Sequence, residues 1–398
     1  MTTVLNEFEM PNGWQELPFS AVADKVSDSG YPELESLSVF LDDGVVPRSS
    51  REDNHNQLGE SLDKYQRVLP NDLVFNKLRT WQGGFGISQH EGIVSPAYII
   101  TRPDQSIIYP RFLGHLLKSK PYLAELTRLS KWMPPTQFDI SWESIRSLKL
   151  RIPGVLEQKV ISDYLDNELE KTDKLVKLKQ IQIKELESLL KTVVSEKISE
   201  LAQSGTAPVS FFCSLTNGFP FDSETFGIFG TMPLVRIRDL TATEFELFVP
   251  EPVPKSAIIQ NGDLLIGMDG QFVPMIWARG PAALNQRVCV LRAKFSADLR
   301  FIRYAIIEGL EIYAKQVEST TVAHISSGVI LKLRIPNIDF NDQVQIADDL
   351  MRIENNVNTA INLLSKSISI LGEYRNTLVT ACVTGAFNVK MGGRSFSE

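Results

Sequence analysis

Two long stretches of the chain repeat their apolar residues at helical spacing. From about Glu157 to Leu201 there is no glycine or proline, and apolar residues recur every three or four positions. From about Asp342 to Val383, a leucine or valine returns every seventh residue. Each stretch predicts a helix of about 60 to 65 Å with one apolar stripe. Because a single stripe needs a partner, the two helices are expected to pair with each other.

Shorter apolar runs rich in β-branched residues precede each helical stretch, and glycine, proline, asparagine or aspartate bounds them. They predict strands, and the runs are DLVF (72–75), GIVSPAYIITRP (92–103), MPLVRIRDL (232–240), DLLIG (263–267) and RVCVLRA (287–293). An amphipathic pattern follows them in each half, RFLGHLLKSKPYLAELTRL (111–129) and LRFIRYAIIEGLEIYAKQ (299–316). Strands followed by a helix indicate two compact α+β regions.

The hexapeptide LKLRIP occurs twice, at residues 148–153 and 331–336. Matching blocks surround both copies in the same order, so that Gln158 aligns with Gln343 and Asp72 with Asp263. The chain is therefore a duplication of a unit of about 190 residues. In each copy, alternating leucine and isoleucine predict the last strand of a globular region, and the proline ends it before the long helix begins.

These patterns predict an α+β fold with an internal pseudo-twofold repeat. Two globular domains are separated by two long helices that form an antiparallel coiled coil, which gives a dumbbell shape. The expected boundaries are 1–154 for the first globular domain, 155–204 for the first helix, 205–337 for the second domain, 338–389 for the second helix and 390–398 for a tail. Two ordinary bundle helices in one all-α core are the alternative, which the Gly/Pro-rich blocks disfavour.

Composition adds limits on partners and location. The net charge of −7 argues against a protein that binds nucleic acid nonspecifically. It is compatible with a DNA-binding protein whose basic groups are concentrated on one face. The three cysteines lack CxxC spacing, which indicates neither disulfides nor a zinc site. No run approaches the roughly 18 apolar residues of a membrane span. We therefore expect a cytoplasmic protein.

Catalytic motifs are missing from the sequence. There is no GxxxxGK[ST] phosphate loop, and MPPT (133–136) lacks the acid or amide and the aromatic residue of a methyltransferase tetrapeptide. Glu157-Gln158-Lys159 spells the ExK pattern of some nucleases, but the aligned residues 342–344 have no lysine. The histidines at positions 55, 90, 115 and 324 are isolated from one another. The sequence thus predicts a protein that is not an enzyme.

Hydrogen-bonding and stacking residues are concentrated instead in turns at equivalent places of both halves. Arginine and lysine can bind phosphate or guanine, and glutamine and asparagine can pair with adenine. In the first half the candidates are Lys77, Arg79, Trp81, Gln82, Arg128, Lys131, Thr136 and Gln137. In the second half they are Arg236, Arg238, Gln271, Arg279, Asn285, Gln286, Arg287, Thr320, Thr321 and His324. Arg236 and Arg238 are predicted to share one face of a strand.

With these motifs the chain resembles the specificity (S) subunit family of type I restriction-modification systems. The resemblance rests on NDLVFNKLRTWQGGFGIS (71–88), EGIVSPAYIITRP (91–103) and LKLRIPGVLEQKVISDYLDNELEKTD (148–173), with a second joint around LKLRIPNIDFNDQVQIADDL (331–350). It covers nearly the whole chain. The second half has NQRV where the first has SPAY, so contacts there do not transfer residue by residue.

The resemblance implies a noncatalytic DNA-binding subunit whose two target-recognition domains read the two halves of an asymmetric, bipartite site in double-stranded DNA. The helices would set the unread gap. Two methyltransferase (M) subunits with S-adenosylmethionine, and two restriction (R) subunits with ATP and magnesium, would be the partners, and this chain itself would bind no cofactor. A coiled-coil scaffold or adaptor protein without catalysis is the alternative, and sequence-dependent binding of duplex DNA separates the two.

Overall fold

The computed structural model describes residues 9–41, 43–51, 62–133, 137–227, 230–250, 252–270, 272–317 and 323–389. Contacts divide the chain into two compact units, one of Met1–Lys179 with Ser365–Glu398 and one of Gln180–Leu364. Each unit contains an α+β globular region together with one part of each of two long helices.

In its described residues, the first globular region is built from short strands and three α-helices. Its strands are β1 (Gln15–Pro18), β2 (Ala23–Val26), β3 (Leu37–Phe40), β4 (Gly44–Pro47), β5 (Gln66–Val68), β6 (Leu73–Asn76), β7 (Phe85–Ile87), β8 (Gly92–Val94), β9 (Tyr98–Pro103), β10 (Lys131–Met133), β11 (Gln137–Asp139) and β12 (Lys149–Ile152). Its helices are α1 (Pro110–Lys118), α2 (Lys120–Leu129) and α3 (Trp142–Arg146), and the long helix α4 (Val155–Ala202) follows.

The second globular region repeats this plan. Its strands are β13 (Thr206–Pro208), β14 (Cys213–Asn217), β15 (Met232–Val235), β16 (Phe248–Val249), β17 (Ile258–Ile259), β18 (Leu264–Gly267), β19 (Pro274–Ile276), β20 (Ala282–Leu284), β21 (Val288–Ala293) and β22 (Arg334–Pro336). Its helices are α5 (Val209–Phe212), α6 (Leu299–Val317) and α7 (Ser327–Lys332), and the long helix α8 (Phe340–Thr384) follows.

The same antiparallel sheet forms the centre of both regions. Its strand order is β2-β9-β6-β7 in the first and β14-β21-β18-β19 in the second. In each sheet a bidentate ion pair joins the two middle strands at the aligned aspartate. Asp72 receives two hydrogen bonds of 2.8 Å from Arg102, and Asp263 receives bonds of 3.1 and 2.9 Å from Arg292. The duplication predicted from the sequence is therefore confirmed.

One face of each sheet is buried under helices. In the first region Leu73, Phe75 and Phe85 lie in one core with Phe112 and Leu116 of α1. In the second, the corresponding strands share a core with the apolar face of α6, which contributes Phe301, Ile302, Ala305 and Ile306. The other face of each sheet is buried too, with Val74 and Ile100 in one core and Leu265 and Val290 in another.

The two predicted long helices are confirmed as α4 and α8. In the first unit, Leu165 and Leu169 of α4 share a core with Leu378 and Cys382 of α8. The helices are antiparallel there, because Tyr164 stacks on Phe387 beyond the end of α8 while Asp173 pairs with Arg375 at 2.7 Å. In the second unit, Val194 and Ile198 of α4 share a core with Ala347 and Leu350 of α8.

The two LKLRIP copies differ in structure. In the first, β12 pairs with β1 and the Leu148 carbonyl accepts from the Phe19 amide at 2.8 Å. In the second, Leu331 and Lys332 end helix α7, and the carbonyl that accepts from Val209 at 2.9 Å belongs to Leu333. The expected strand is therefore reduced to β22, because helix α7 continues into the hexapeptide. As a result, the strand pairing is shifted by two residues relative to the first copy, so that Pro18 pairs with Lys149 but Pro208 pairs with Arg334.

The expected single helix over residues 111–129 is also wrong in detail. It is broken into α1 and α2 at Ser119, whose backbone is extended (φ −68°, ψ 148°). Pro121 stands in the first turn of α2. A proline has no amide hydrogen to continue the bonding of a preceding helix, so the chain restarts at this point.

Acid should weaken the second unit through one carboxylate. Burial alone would raise the pKa of Glu354, but hydrogen bonds from Arg303 and Tyr304 and the arginine charge outweigh it and hold the pKa below its ordinary value of 4.5. The carboxylate therefore stabilises the fold above that value, and the contribution is lost as pH falls through the lowered pKa.

The Glu354→Gln variant should thus have a midpoint of urea unfolding that changes less with pH below about 4.5 than the wild-type midpoint does. Glu196→Gln, at an exposed position of α4, is the matched control. A variant whose midpoint follows the wild-type slope would contradict this role for Glu354.

Candidate nucleic-acid interface

The first candidate loop is the connection between the paired strands β6 and β7. Residues 80–82 form a short 3-10 turn, which the Thr80 hydroxyl and the Trp81 indole close by donating to the carbonyls of Asn76 and Leu78 at 2.7 and 3.1 Å. The turn leaves Arg79 and Gln82 exposed and Lys77 and Trp81 half-buried. The four candidates of this loop therefore stand on one short, internally bonded segment.

Two glycines keep this loop tight. Gly83 has φ +89°, a conformation that favours glycine. A Cβ on Gly84 would lie 2.7 Å from the carbonyl oxygen of Arg79, a distance at which backbone has to move. The glycines that follow the cationic residues thus fix the backbone that carries Arg79.

An aromatic cluster joins this loop to the β10–β11 hairpin. The Phe138 ring lies 5.3 Å from Trp81 and 4.9 Å from Trp132, and the Lys77 carbonyl accepts from the Ile140 amide at 3.3 Å. Trp132 is 49% exposed, which is high for so large an apolar side chain. We call residues 77–82 and the described residues of 131–139 the first loop surface.

The other first-half candidates divide by their partners. Lys131 is exposed on β10 and makes no ion pair within the described part of the chain. Arg128, at the end of α2, binds the buried carboxylate of Glu125 at 2.8 Å. Gln137 lies in β11, and Thr136 lies outside the described residues. Sequence reasoning omitted Trp132, although the basic-aromatic pair Lys131-Trp132 was a usable signal.

Arg236 and Arg238 do not share a strand face, contrary to the prediction, because β15 ends at Val235 and a 3-10 turn begins at Ile237. The Arg236 guanidinium binds Asp239 at 2.7 and 3.0 Å and Glu246 at 2.8 Å, and its side chain is only 16% exposed. Arg238 is exposed. The two arginines thus have different surroundings, and Arg236 is held by carboxylates of its own chain.

Arg279 also has partners within its own region. Its guanidinium lies over Trp277 and Phe245 at 4.3 and 4.7 Å and donates to the carbonyls of Asp239 and Ala242. Burial lowers the pKa of Arg279. Trp277, only 1% exposed, fills the core beneath it. Trp277 and Arg279 therefore have structural contacts within their own region, Trp277 in the core and Arg279 with the segment that contains Asp239 and Ala242.

Asp269 joins the two candidate loops of the second region. Its carboxylate, 15% exposed, accepts from Arg287 at 2.7 Å and contacts the His324 Nδ1 at 2.6 Å. The Asn285 side chain accepts from the Arg287 amide at 3.2 Å, and Gln286 is exposed. We call residues 268–270, 285–287 and 323–324 the second loop surface. The remaining candidates Gln271, Thr320 and Thr321 lie outside the described residues.

Each region therefore brings together two loops that are far apart in sequence. The first loop surface presents Arg79, Gln82, Lys131 and Trp132, which supply cations, an amide and an exposed ring. Such groups can bind phosphates and the edges or faces of bases. The second loop surface presents amides and the Arg287–Asp269–His324 group, so its chemistry is different.

Other kinds of site find no support in the described part of the chain. It contains no group of three or more His, Cys, Asp or Glu residues that could hold a metal ion. Among its helices, none combines the length and hydropathy that a membrane span requires. Gln158, the middle residue of the ExK pattern, is fully buried, and Glu157 accepts from the Trp14 indole at 3.4 Å.

Comparisons with known proteins agree with this arrangement. Residues 230–366 match the family model of the type I restriction modification DNA specificity domain. The chain is 32% identical over 174 residues to the type I restriction enzyme EcoBI specificity subunit of Escherichia coli, a match that covers 43% of this chain and 37% of that protein. It is 21% identical over 326 residues to the StySPI specificity subunit of Salmonella potsdam, which covers 75% of this chain and 66% of that protein.

Solved structures share the fold. One, from a study of complex assembly and conformational transition of the type I R-M system, aligns over 94% of this chain and 99% of its own with a TM-score of 0.76 and 14% identity. The HsdS subunit from Thermoanaerobacter tengcongensis aligns over 95% and 98% with a TM-score of 0.55 and 14% identity. The EcoBI match spans well under half of that subunit's length. Residues 230–366 thus match the DNA specificity domain of type I restriction-modification systems, and the chain is similar in sequence and in fold to their specificity subunits.

Proposed function

We propose that this chain reads a bipartite sequence in double-stranded DNA as the specificity subunit of a type I restriction-modification complex. The observation that carries the proposal is the pairing of loops in each region. In the first region the turn after β6 meets the loop just before LKLRIP through the aromatic cluster. In the second region the turn after β18 meets the corresponding loop through Asp269. A scaffold protein has no need of two such loop pairs.

Recognition in the first region would combine phosphate and base contacts. Arg79 and Lys131 are exposed and make no ion pair in the described structure, so their charges are free to meet phosphates or a guanine edge. Gln82 has the donor and acceptor that adenine requires. Trp132 offers an apolar face to a thymine methyl or a sugar.

The second region would read a different half-site. Arg287 is already bound to Asp269, and Gln286 is the exposed amide beside it. A carboxylate in this position disfavours phosphate and can accept from the cytosine amino group. Because the loop surfaces differ in residues and in charge, the two half-sites should differ, and the target should not be a palindrome.

Catalysis would come from partner subunits. Two methyltransferase subunits would use S-adenosylmethionine to methylate adenine, and two restriction subunits would use ATP and magnesium. This chain would supply sequence recognition and the helices on which the methyltransferase subunits dock, with the helices setting the unread gap. Because the DNA that these systems act on is inside the cell, we place the complex in the cytoplasm.

One feature also suits the alternative of an adaptor protein. A cavity of about 400 Å³ lies between α4 and α6, with Leu190, Val194, Ile198 and Ile307 among its lining residues. Apolar cavities of this size accept a side chain or a small ligand. Protein docking at this place fits both functions, so DNA binding is what distinguishes them.

Methylation-sensitive sequencing of the host genome, with this chain present and absent, tests the proposal. We expect one asymmetric motif, made of two half-sites with a fixed gap, to lose adenine methylation when the chain is removed. Restoring the chain should restore the same motif. No chain-dependent motif, or a palindromic one, would contradict the proposal.

Replacing Arg79 by alanine should weaken recognition of one half-site only. Loss of a bidentate base contact costs about 1–3 kcal/mol, which is roughly 5- to 150-fold in binding. The measurement is fluorescence anisotropy of the complex with duplexes that carry single changes in either half-site. Arg146→Ala, an exposed cation on α3 outside the loop surface, is the matched control. Equal loss at both half-sites would count against a local contact by Arg79.

A further inference from the structure

Each long helix is attached to its own globular region by a buried glutamine in its first turns. In the first unit this residue is Gln158, which is 0% exposed. Its Oε1 accepts from the Tyr109 amide at 2.7 Å, and its Nε2 donates to the carbonyls of Ile107 and Pro153 at 3.0 and 2.8 Å. One side chain thus binds the segment that leads into α1 and the end of LKLRIP at once.

The second unit repeats this attachment. Gln343, at the aligned position of α8, is 2% exposed. Its Oε1 accepts from the Asp298 amide at 3.0 Å, just before α6, and its Nε2 donates to the Ile338 carbonyl at 3.0 Å, just before α8. The two glutamines therefore make the same connection in regions whose loop residues have diverged.

An arginine adds a second point of attachment in each unit. Arg111 of α1 binds Asp163 and Asp166 of α4 at 2.7 and 2.5 Å. Arg300 of α6 binds Asp348 of α8 at 2.5 Å and also its neighbour Asp298. The spacing is the same in both units. Asp163 and Asp348 each lie five residues after the glutamine of their helix. Arg111 and Arg300 each lie two residues after the residue whose amide donates to that glutamine, Tyr109 or Asp298.

This repeated geometry has a mechanical consequence. A single hydrogen bond leaves a helix free to swing about it, whereas two attachments more than one turn apart along the same helix fix its direction. The glutamine bonds are shielded from water, so breaking them leaves buried amide and carbonyl groups without partners. Packing alone, through Ile161 and Leu165, would hold the helix in place with less control of its angle.

We propose that Gln158 and Gln343 are positioning residues that fix the angle between each recognition region and its long helix, and that selectivity for the gap between half-sites depends on them. This inference rests on the proposed function for its DNA part. The angle itself is a property of each unit and is measured without DNA.

The angle is tested by spin-label distances in the full-length chain. Labels at Gln89→Cys and Lys177→Cys report on the first unit, since both positions are exposed. The three native cysteines are buried, and burial raises the pKa of each thiol to about 12, so they remain largely unlabelled.

In that labelled chain, Gln158→Glu keeps the acceptor oxygen and loses both donated bonds. We expect its distance distribution to be broader than in the wild type, and Gln182→Leu, at an exposed position of the same helix, to leave it unchanged. Arg111→Gln removes both arginine ion pairs at a half-exposed residue, leaving the contact of His115 with Asp166 at 2.8 Å, and serves if the glutamine variant does not fold. An unchanged distribution in a folded variant would overturn the positioning role.

DNA binding then tests whether selectivity for the gap depends on Gln158. Duplexes with the gap of the natural target, or with one base pair more or fewer, are compared for the wild-type complex and Gln158→Glu. We expect the preference for the natural gap to fall by about tenfold or more, while the preference for the half-site bases is kept. Equal loss for all gaps would indicate a purely structural role and overturn the inference, whereas failure of the wild type to bind any duplex specifically would overturn the proposed function instead.

Discussion

The structure depends on covering one apolar stripe along each long helix. A helix of 48 residues, such as α4, gains little from its backbone alone and needs packing on the stripe to persist in water. Duplication of the chain supplies that packing, because α8 of 45 residues carries a matching stripe. Each globular region in turn attaches to the start of its own helix through a buried glutamine and an arginine pair. The first and second loop surfaces can diverge freely, because neither the stripe nor the attachment includes them.

Much of this fold could be predicted from residue patterns. Apolar residues at every third or fourth position in the first stretch, and at every seventh in the second, predicted the long helices because such periodicity is regular over many turns. The aligned aspartates, 72 and 263, indicated the duplication, and each forms a bidentate pair with an arginine of the neighbouring strand. Local context that pattern reading lacks explains the errors. The second LKLRIP loses most of its strand to α7, and one expected helix is interrupted beside Pro121.

The candidate site could be predicted less well. Glycine, aromatic and cationic residues indicated the candidate loops, but the sequence did not show whether each side chain there is exposed, buried or paired. Arg236 and Arg279 have acceptors within their own region, and some of those lie ten or about forty residues away in sequence. Trp132 was overlooked because exposure is not visible in a sequence. Only folding shows which cations remain free for phosphate, and this decides where DNA affinity can arise.

Selection of bound duplexes from a random pool, with the full-length chain in complex with the methyltransferase subunit that we propose as its partner, tests the central claim most directly. The account predicts enrichment of one class of sequence with two unlike half-sites at a fixed separation, because two different loop surfaces are attached to paired helices. It also predicts that changes in the first loop surface alter one half-site alone. Recovery of no common sequence, or of a palindrome, would contradict the account.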